Sequence, residues 1–408
     1  MAADLRAQLD RPPTVPFRYV KPLDGVRGLG ILIVMFGHYA TGLSKWAGVR
    51  FFGLSLTIDL FFVLSGFLIT SLLLEEWSKT EHISLRNFYV RRGLRLLPAL
   101  YLLLLFVAII PFVTDWLPWK LTLAEVAAAA LYVYPVVLFA KEGNVFLFHL
   151  WTLSVEEWFY FLWPTILLFI GFRRPGTRRL NALLWAMVLA CVGCFLLRAA
   201  GGQDALSLLV AALRPDSLIY GSLLGFGMRW CRDVPDERRD RWLRWAGRIG
   251  GIGFIYFSWI AVYPISPTPA GVTYEDHYAR YHELAFQSWN YRLGMICALL
   301  AILHVLLEPA GPAAKAFSWR PLVYLGILSY ALYLWHQPLF LLVNNRSNLN
   351  ADPTQAGHAI LTVPQMWAVG LGVGVASIVI AVVSRHLVEL PALRLKKRFE
   401  VVHYEAKR

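Results

Sequence analysis

The sequence predicts an all-α fold, a polytopic transmembrane helical bundle of about ten spans with both termini in the cytoplasm. Hydrophobic residues make up 58% of the 408 positions and charged residues 16%, whereas soluble domains average about 25% charged residues. The mean hydropathy of +0.53 agrees. The excess of Lys and Arg, a formal charge of +13, lies in short segments between apolar runs. This pattern argues against a soluble enzyme and against a nucleic-acid-binding protein.

Ten apolar runs of 15 to 24 residues could each form the core of a membrane-spanning helix, which needs about 20 residues. In chain order they cover residues 28–43, 51–74, 96–113, 151–172, 180–197, 206–228, 249–265, 293–307, 322–343 and 366–387. A weaker run covers 121–140. It contains Glu125 and Pro135, and we predict an extra surface or re-entrant helix there.

Basic residues set the orientation of these spans. The segments 79–95 and 173–179 are rich in Lys and Arg, so both are predicted to face the cytoplasm. An even number of spans must therefore separate them, which is why the run at 121–140 is not counted. Residues 1–22 form a predicted cytoplasmic leader, 23–392 a transmembrane domain and 393–408 a basic cytoplasmic tail.

Ionisable side chains inside the apolar runs are the candidate functional residues, because each costs roughly 2.5–3.5 kcal/mol at the bilayer centre. Arg27 lies at the cytoplasmic edge of the first run, and His38 lies eleven positions later, ~16 Å deeper along a helix. Asp59 reaches a similar depth from the outer side. A carboxylate beside an imidazole would orient it and raise its basicity, so Asp59 or Glu156 is expected to assist His38.

Further polar residues converge on the middle and outer depth of the membrane. Glu156 and Glu157 point about 100° apart on a helix, so at most one can face a given cavity squarely. The remaining members of this group are His149, Arg214, Asp216, Tyr330 and His336. Cys191 and Cys194 lie within an apolar run and are read as packing residues, so no metal site is predicted.

Four arginines lie at the cytoplasmic mouth of the bundle. Arg91 and Arg95 share one helical face, Arg92 is beside them, and Arg27 lies at the same depth. Guanidinium groups bind phosphates bidentately, although cytoplasmic loops are basic in any case.

Several long motifs in order resemble the integral-membrane acyltransferase-3 family, and together they cover most of the chain. They are LDGVRGLGILIVMFGH, TIDLFFVLSGFLIT, NFYVRRGLRLLP, HLWTLSVEEWFYFLWP, RPDSLIYGSLLG, LGILSYALYLWHQP and VELP. The last departs from the family's usual pattern, in which a basic residue often precedes proline. The resemblance concerns the membrane domain alone, without the SGNH esterase-like domain fused to some relatives, so a step outside the membrane would need a separate extracytoplasmic acyltransferase or direct transfer.

The resemblance implies an acyl-CoA-dependent O-acyltransferase in the bacterial plasma (inner) membrane. It would move an acyl group, commonly acetyl from acetyl-CoA, to a hydroxyl of an envelope glycan, glycolipid or small natural product. His38 would be the essential histidine and Arg27 its partner near the donor. Combined with the residue map, this makes His38, Asp59 and Glu156 catalytic candidates. The predicted acyl-CoA-binding residues are Arg27, Arg91, Arg92 and Arg95, and the predicted substrate-binding residues are His149, Glu157, Arg214, Asp216, Tyr330 and His336.

Two mechanisms and two other functions stay open at this point. His38 could act as a general base or carry the acyl group in a covalent relay. Intramembrane His, Asp, Glu and Arg residues also build the proton relays of secondary transporters, although the halves of the chain show no repeat. A non-catalytic scaffold that binds membrane lipids or a partner is the third possibility.

Overall fold

A computed structural model provides the structure of the protein. It describes residues 19–47, 49–51, 53–113, 118–139, 145–172, 177–200, 210, 213–233, 236–260, 262–264, 289–347 and 363–399. Most of the predicted leader and tail, and most of the basic segment at 173–179, lie outside these residues.

The described chain is almost entirely helical. The helices are α1 (Lys21–Ala47), α2 (Gly53–Thr80), α3 (Leu85–Val113), α4 (Trp119–Ala130), α5 (Tyr134–Phe139), α6 (Leu150–Ile166), α7 (Thr177–Ala200), α8 (Pro215–Asp233), α9 (Glu237–Ile260), α10 (Trp289–Leu307), α11 (Pro312–Phe317), α12 (Arg320–Ser347), α13 (Val363–Ser384) and α14 (Leu390–Lys396). Single 3₁₀ turns cover Val145–Leu147 and Lys397–Phe399. Wider π turns, Leu167–Phe172 and Arg385–Glu389, extend α6 and join α13 to α14.

The predicted all-α polytopic bundle is confirmed. Within the described residues, six helices are long and apolar enough to cross a membrane, and Leu293–Leu307 is a shorter apolar helix. The count of about ten spans and the cytoplasmic location of both termini stay predictions. The sequence did not predict the short antiparallel pair of strands, β1 (Val49–Phe51) and β2 (Val262–Pro264).

Apolar side chains on the outside of the bundle fit a lipid environment. Helix α13 exposes Leu371, Val375 and Val379, which recur every fourth residue and are 72%, 53% and 55% exposed. An apolar stripe of this length on a soluble protein would favour association, whereas lipid tails satisfy it without a protein partner.

Two close helix crossings hold the centre of the bundle, and glycines make both possible. A Cβ atom on Gly28 of α1 would lie 2.0 Å from the carbonyl oxygen of Leu322 in α12, and one on Gly326 would lie 1.8 Å from that of Asp24. The crossing of α2 with α8 is similar. The motifs LDGVRG and LGILSY therefore fix how α1 faces α12.

Two of the predicted apolar runs are broken. The run at 121–140 forms two helices, α4 and α5, with Tyr132 between them at φ 57°. The run at 206–228 breaks at Arg214, which has φ 48° and closes a helical turn onto the carbonyl of Val210. Helix α8 then begins at Pro215, whose fixed φ and missing N–H suit a first helical position.

Candidate active site

A cavity of about 610 Å³ lies between the helices, and α1 and α12 form part of its wall. Its walls come from α1, α2, α3, α6 and α12, and from the segment that joins α13 to α14. Most of the wall is apolar. The polar and charged lining residues are Tyr19, Asp24, Arg27, Ser65, Arg92, Arg95, Thr152, Glu156, Tyr160, Ser329, Tyr330, Tyr333, Arg385, Glu389 and Lys396.

One face of α1 runs along the cavity. Arg27, Ile31 and Val34 line it, and their spacing of four and three residues keeps them on a single helical face. His38 continues that face one turn beyond Val34, ~16 Å from Arg27 along the helix axis. The helix therefore places the arginine and the histidine at opposite ends of the same wall.

Two guanidinium groups at the basic end of the cavity have no direct anionic partner among the described residues. Neither Arg27 nor Arg95 makes an ion pair or hydrogen bond with another residue in the described part of the chain. Arg95 is exposed, and the repulsion that it experiences from Arg27 and Arg92 is larger than the attraction of the Asp24 carboxylate. Arg385, by contrast, lies 3.8 Å from the carboxylate of Glu389. This end of the cavity is a concentration of positive charge that an anion would relieve.

Arg92 is engaged by carboxylates on α6. It donates from Nε and Nη2 to Glu157 Oε1 at 3.0 and 2.8 Å, and its Nη2 lies 3.7 Å from Glu156. Its guanidinium carbon lies 3.2 Å from the centre of the Tyr160 ring. Ser65 and Tyr160 both donate to Glu156. Of the two adjacent glutamates, Glu156 lines the cavity and Glu157 does not.

Arg91 is likewise occupied. It lies 3.0 Å from Glu76 Oε2 and donates to the carbonyl of Phe399 at 2.8 Å, which ties α3 to the end of the described chain. Arg91 is not among the cavity residues. The four predicted acyl-CoA-binding arginines are therefore divided: Arg27 and Arg95 are available to an anion, whereas Arg91 and Arg92 have protein partners.

Hydroxyl groups line the opposite end of the cavity, and three histidines that are not themselves lining residues lie next to them. Tyr333 and Thr152, both cavity residues, contact each other and donate to the backbone carbonyl of His149. The His336 ring centre lies 5.0 Å from that of His38 and 5.4 Å from that of His149. Three histidines that are 111 and 187 positions apart in the chain therefore form one cluster.

The three histidines differ in exposure. His149 and His336 are 2% and 0% exposed, whereas His38 keeps some accessible surface. Of the three, only His38 therefore has accessible surface at this depth, although it is not itself one of the residues that line the cavity. The predicted roles of His149 and His336 as substrate-binding residues stay predictions, but in this arrangement both are covered by protein.

The structure does not bring a carboxylate to His38 as the sequence led us to expect. The hydrogen-bonding neighbours of His38 among the described residues are the Val34 carbonyl oxygen and the His336 ring. Asp59 instead accepts a hydrogen bond from Ser217 at 2.7 Å and lies 3.5 Å from Arg214. Each acidic candidate lies beside an arginine, because pairing with a full positive charge compensates a buried carboxylate better than a neutral imidazole does.

Asp59 belongs to a separate buried cluster between α2 and α8. Arg214 is 2% exposed and Asp216 is 0% exposed, and neither lines the cavity. The guanidinium carbon of Arg214 lies 5.6 Å from the centre of the Trp151 ring. Asp216 lies in the first turn of α8, where a negative charge complements the helix dipole. The catalytic and substrate-binding roles predicted for these residues are not supported by contact with the cavity.

Tyr330 does line the cavity, and its hydroxyl donates to the carbonyl of Leu96 at 2.8 Å. Sequence reasoning missed other cavity residues, among them Ser65, Thr152, Tyr160, Tyr333 and Arg385. Helical spacing was the usable signal for three of them. Tyr333 follows Tyr330 by three positions, while Thr152 and Tyr160 lie one turn to either side of Glu156.

No metal site is evident in the described ranges, where no three His, Cys, Asp or Glu side chains are grouped so as to hold an ion. The three clustered histidines instead contact one another and backbone carbonyl groups. The absence of a metal from the reaction stays a prediction.

The fold and the cavity define a helical integral membrane protein. Its helices surround a largely apolar cavity that has charged side chains at one end. Residues 20–386 match the family model described as "Acyltransferase domain", Acyl_transf_3. The chain therefore belongs to this acyltransferase family, as its motifs predicted.

Curated relatives of this chain come from several bacteria. The peptidoglycan O-acetyltransferase OatA of Listeria monocytogenes is 29% identical over 392 residues, which are 92% of this chain and 56% of the relative. A putative peptidoglycan O-acetyltransferase of Bacillus subtilis, YrhL, is 28% identical over 92% of this chain and 55% of its own length. A putative O-acetyltransferase of Staphylococcus aureus, SACOL0978, is 29% identical over 78% and 50%, respectively. The chain thus spans about half the length of these relatives. No solved structure matches it.

Proposed function

We propose that this protein is a membrane O-acyltransferase that uses acyl-CoA, with acetyl-CoA as the first donor to test. The acceptor would be a hydroxyl of an envelope glycan, glycolipid or small natural product. One observation carries the proposal. Arg27 and Arg95, which have no ion-pair or hydrogen-bond partner among the described residues, lie at one end of a largely apolar cavity. His38 lies one helical turn beyond Val34, the last residue of α1 that lines the cavity.

The charge and shape of the cavity suit the parts of acyl-CoA. Its adenosine phosphates need cations at a wet mouth, and Arg27 and Arg95 offer planar forks that bind phosphate bidentately. The pantetheine arm is flexible and tolerates an apolar channel. Ile31, Phe62 and Leu68 provide such a wall between the arginines and the far end.

We propose that His38 moves the proton. In the proposed reaction His38 removes the acceptor hydroxyl proton as that oxygen attacks the thioester carbonyl. The resulting tetrahedral oxyanion collapses and expels the CoA thiolate, which takes the proton from the His38 imidazolium. The products are an ester and CoA thiol, and general-base assistance of this kind is worth about 10²–10⁴-fold.

The proposed mechanism has one alternative. In a covalent relay, His38 would attack the thioester itself, release CoA and then pass the acyl group to the hydroxyl.

Two relatives are named as peptidoglycan O-acetyltransferases, one of them putatively, which supports a glycan acceptor and the bacterial plasma membrane as the location. A separate extracytoplasmic acyltransferase is a further proposed partner.

Acyl-CoA consumption tests the proposal. Purified protein with acetyl-CoA and fractionated envelope glycans or lipids should release CoA thiol and form an ester detectable by mass spectrometry. His38→Ala should abolish both while the protein keeps its gel-filtration profile, and His386→Ala, at an exposed histidine on α13's continuation, is the matched control. A transporter would move the donor or acceptor unmodified and a scaffold would consume nothing. Turnover by His38→Ala at the wild-type rate would refute the assignment.

A further inference from the structure

His336 is the buried neighbour of His38, and its own surroundings fix its protonation state. Its Nδ1 lies 2.7 Å from the carbonyl oxygen of Tyr333 and 3.1 Å from that of Leu332. A carbonyl oxygen can only accept a hydrogen bond, so Nδ1 must carry the proton. A neutral His336 then presents an unprotonated Nε2.

Neutrality of His336 follows from its position. The ring is 0% exposed, and its described partners are two carbonyl groups and His38, with no carboxylate among them. A charged imidazolium buried without an opposite charge would be costly. His38 likewise has no carboxylate among its described hydrogen-bonding partners, so we take both rings as neutral at rest.

The state of His336 determines the tautomer of His38. The Nε2 of His336 lies 3.1 Å from Nδ1 of His38, and the carbonyl oxygen of Val34 lies 3.0 Å from the same Nδ1. Both neighbours are acceptors, so Nδ1 of His38 must donate. Its other nitrogen, Nε2, is left unprotonated, and it is the nitrogen that can take a proton from a substrate.

We infer that His336 is a positioning residue that holds His38 in the Nδ1–H tautomer with Nε2 as the reacting atom. This inference rests on the proposed function of His38. In many enzymes a carboxylate orients the histidine base, and here a second imidazole, assisted by the Val34 carbonyl, occupies that place. When His38 takes up the acceptor's proton, its Nδ1–H bond to His336 becomes charge-assisted and stronger, which stabilises the imidazolium during the reaction.

Three substitutions at His336 separate positioning from packing. The amide oxygen of His336→Gln can reach the place of Nε2 and accept from His38, whereas the shorter His336→Asn cannot, and His336→Phe keeps ring volume without an acceptor. We expect His336→Phe and His336→Asn to lose about 100-fold in kcat, with KM for acetyl-CoA within about twofold, and His336→Gln to recover at least about tenfold of that loss. His386→Gln is the control, because His386 has the same type of contact to a backbone carbonyl, at 2.8 Å from Val382, but no second ring.

The tautomer itself is measurable by ¹⁵N NMR of histidine-labelled protein, with His38→Ala identifying the His38 signals. The wild type should show a protonated Nδ1 and a bare Nε2 at His38, and His336→Phe should give a mixture of tautomers. An Nε2–H tautomer in the wild type, or His336→Phe with wild-type kcat, would overturn the inference. If the wild type consumes no acyl-CoA, the proposed function fails, while the NMR spectrum still decides whether His336 sets the tautomer.

Discussion

Two arginines three positions apart on α3, Arg92 and Arg95, have different surroundings. The difference indicates which of them has a structural role and which is available to bind a ligand. Arg92 donates from Nε and Nη2 to Glu157 Oε1 and lies over the Tyr160 ring, whereas Arg95 has no ion pair or hydrogen bond within the described residues. A guanidinium group that is already paired with a carboxylate gains little free energy by binding a phosphate. Arg92 therefore acts as a cross-link between α3 and α6, and Arg95 is the available cation.

Removing Arg92 should destabilise the protein more than it weakens donor binding. Arg92→Met leaves two carboxylates unpaired, and since these side chains are only 15–22% exposed we expect a loss of about 2 kcal/mol in the free energy of unfolding. Adding Glu157→Gln should restore part of it, because the second change removes the uncompensated charge. Thermal melting in one detergent measures both variants, and Arg86→Met, at an exposed arginine of the same helix, is the control.

The opposite result would support the acyl-CoA-binding role that the sequence predicted for Arg92. If Arg92→Met melts like the wild type but binds acetyl-CoA much more weakly, then Arg92 contacts phosphate and its pairing with Glu157 is incidental.

Spacing along the chain predicted the depth of the candidate residues but not their partners. His38 and His336 were both placed in the membrane, and Arg27 at its edge, because helical rise converts sequence separation into distance. Which faces meet depends on how helices rotate and cross, and no pattern within one helix contains that. The contact of His38 with His336, rather than with Asp59, was therefore beyond the reach of the sequence.

At the scale of helices, the crossing of α2 with α8 depends on two glycines. A Cβ atom on Gly66 would lie 2.0 Å from the Leu218 carbonyl oxygen, and one on Gly221 would lie 2.1 Å from that of Val63. Both obstacles are backbone atoms, which cannot move aside as a flexible side chain can. The helices could accept a methyl group only by separating, and α2 also carries Ser65 and other residues that line the cavity.

Gly221→Ala should therefore lower stability although alanine is the better helix former. We expect a loss of about 1–3 kcal/mol, as for other overpacked interiors, measured as a lower melting temperature together with reduced activity. Gly227→Ala on the same helix is the matched control, since nothing lies within 4 Å of its added Cβ, and it should be neutral or stabilising by up to about 1 kcal/mol. Equal melting temperatures for the two variants would mean that α2 and α8 are less tightly packed than the contacts of Gly66 and Gly221 indicate.

Most helices were predictable, and their interruptions were only partly so. Long apolar runs gave α3, α6, α7, α12 and α13 because lipid demands such segments. Pro215 was a visible sign of the break at Arg214, since a residue before proline avoids the helical region. The π turn over Arg385–Glu389 had no comparable signal, yet it is this segment that brings Arg385 and Glu389 to the cavity.

Across the whole molecule, charge and polarity change along the cavity from one end to the other. Guanidinium groups without an ion pair in the described part of the chain lie at one end, an apolar wall follows, and hydroxyl groups next to histidines lie at the other. An extended substrate with an anionic head and a reactive tail fits this gradient in one direction only. The predicted topology assigns the basic end to the cytoplasm, the side from which the proposed acyl-CoA donor would enter.

Donor binding should accordingly depend on two arginines, on salt and on the side of the membrane. Arg27→Ala and Arg95→Ala should each weaken acetyl-CoA binding by about tenfold or more, because a hydrogen bond to a charged group is worth about 1.5–3 kcal/mol. Lysine at either position should rescue only in part, since it keeps the charge but loses the bidentate fork. Arg178→Ala, at an exposed arginine away from the cavity, should bind as the wild type does. Higher salt should weaken wild-type binding by screening.

Sided labelling completes this prediction. In a variant whose four native cysteines are replaced, Leu393→Cys would place a thiol in the cavity wall near Lys396. Acetyl-CoA should slow its reaction with an impermeant maleimide in inverted vesicles, and in right-side-out vesicles the reagent should not reach it. Labelling from the outside would reverse the predicted topology. Unchanged acetyl-CoA affinity in both alanine variants would mean that Arg27 and Arg95 only anchor the helices at the membrane surface and that the donor enters by another route.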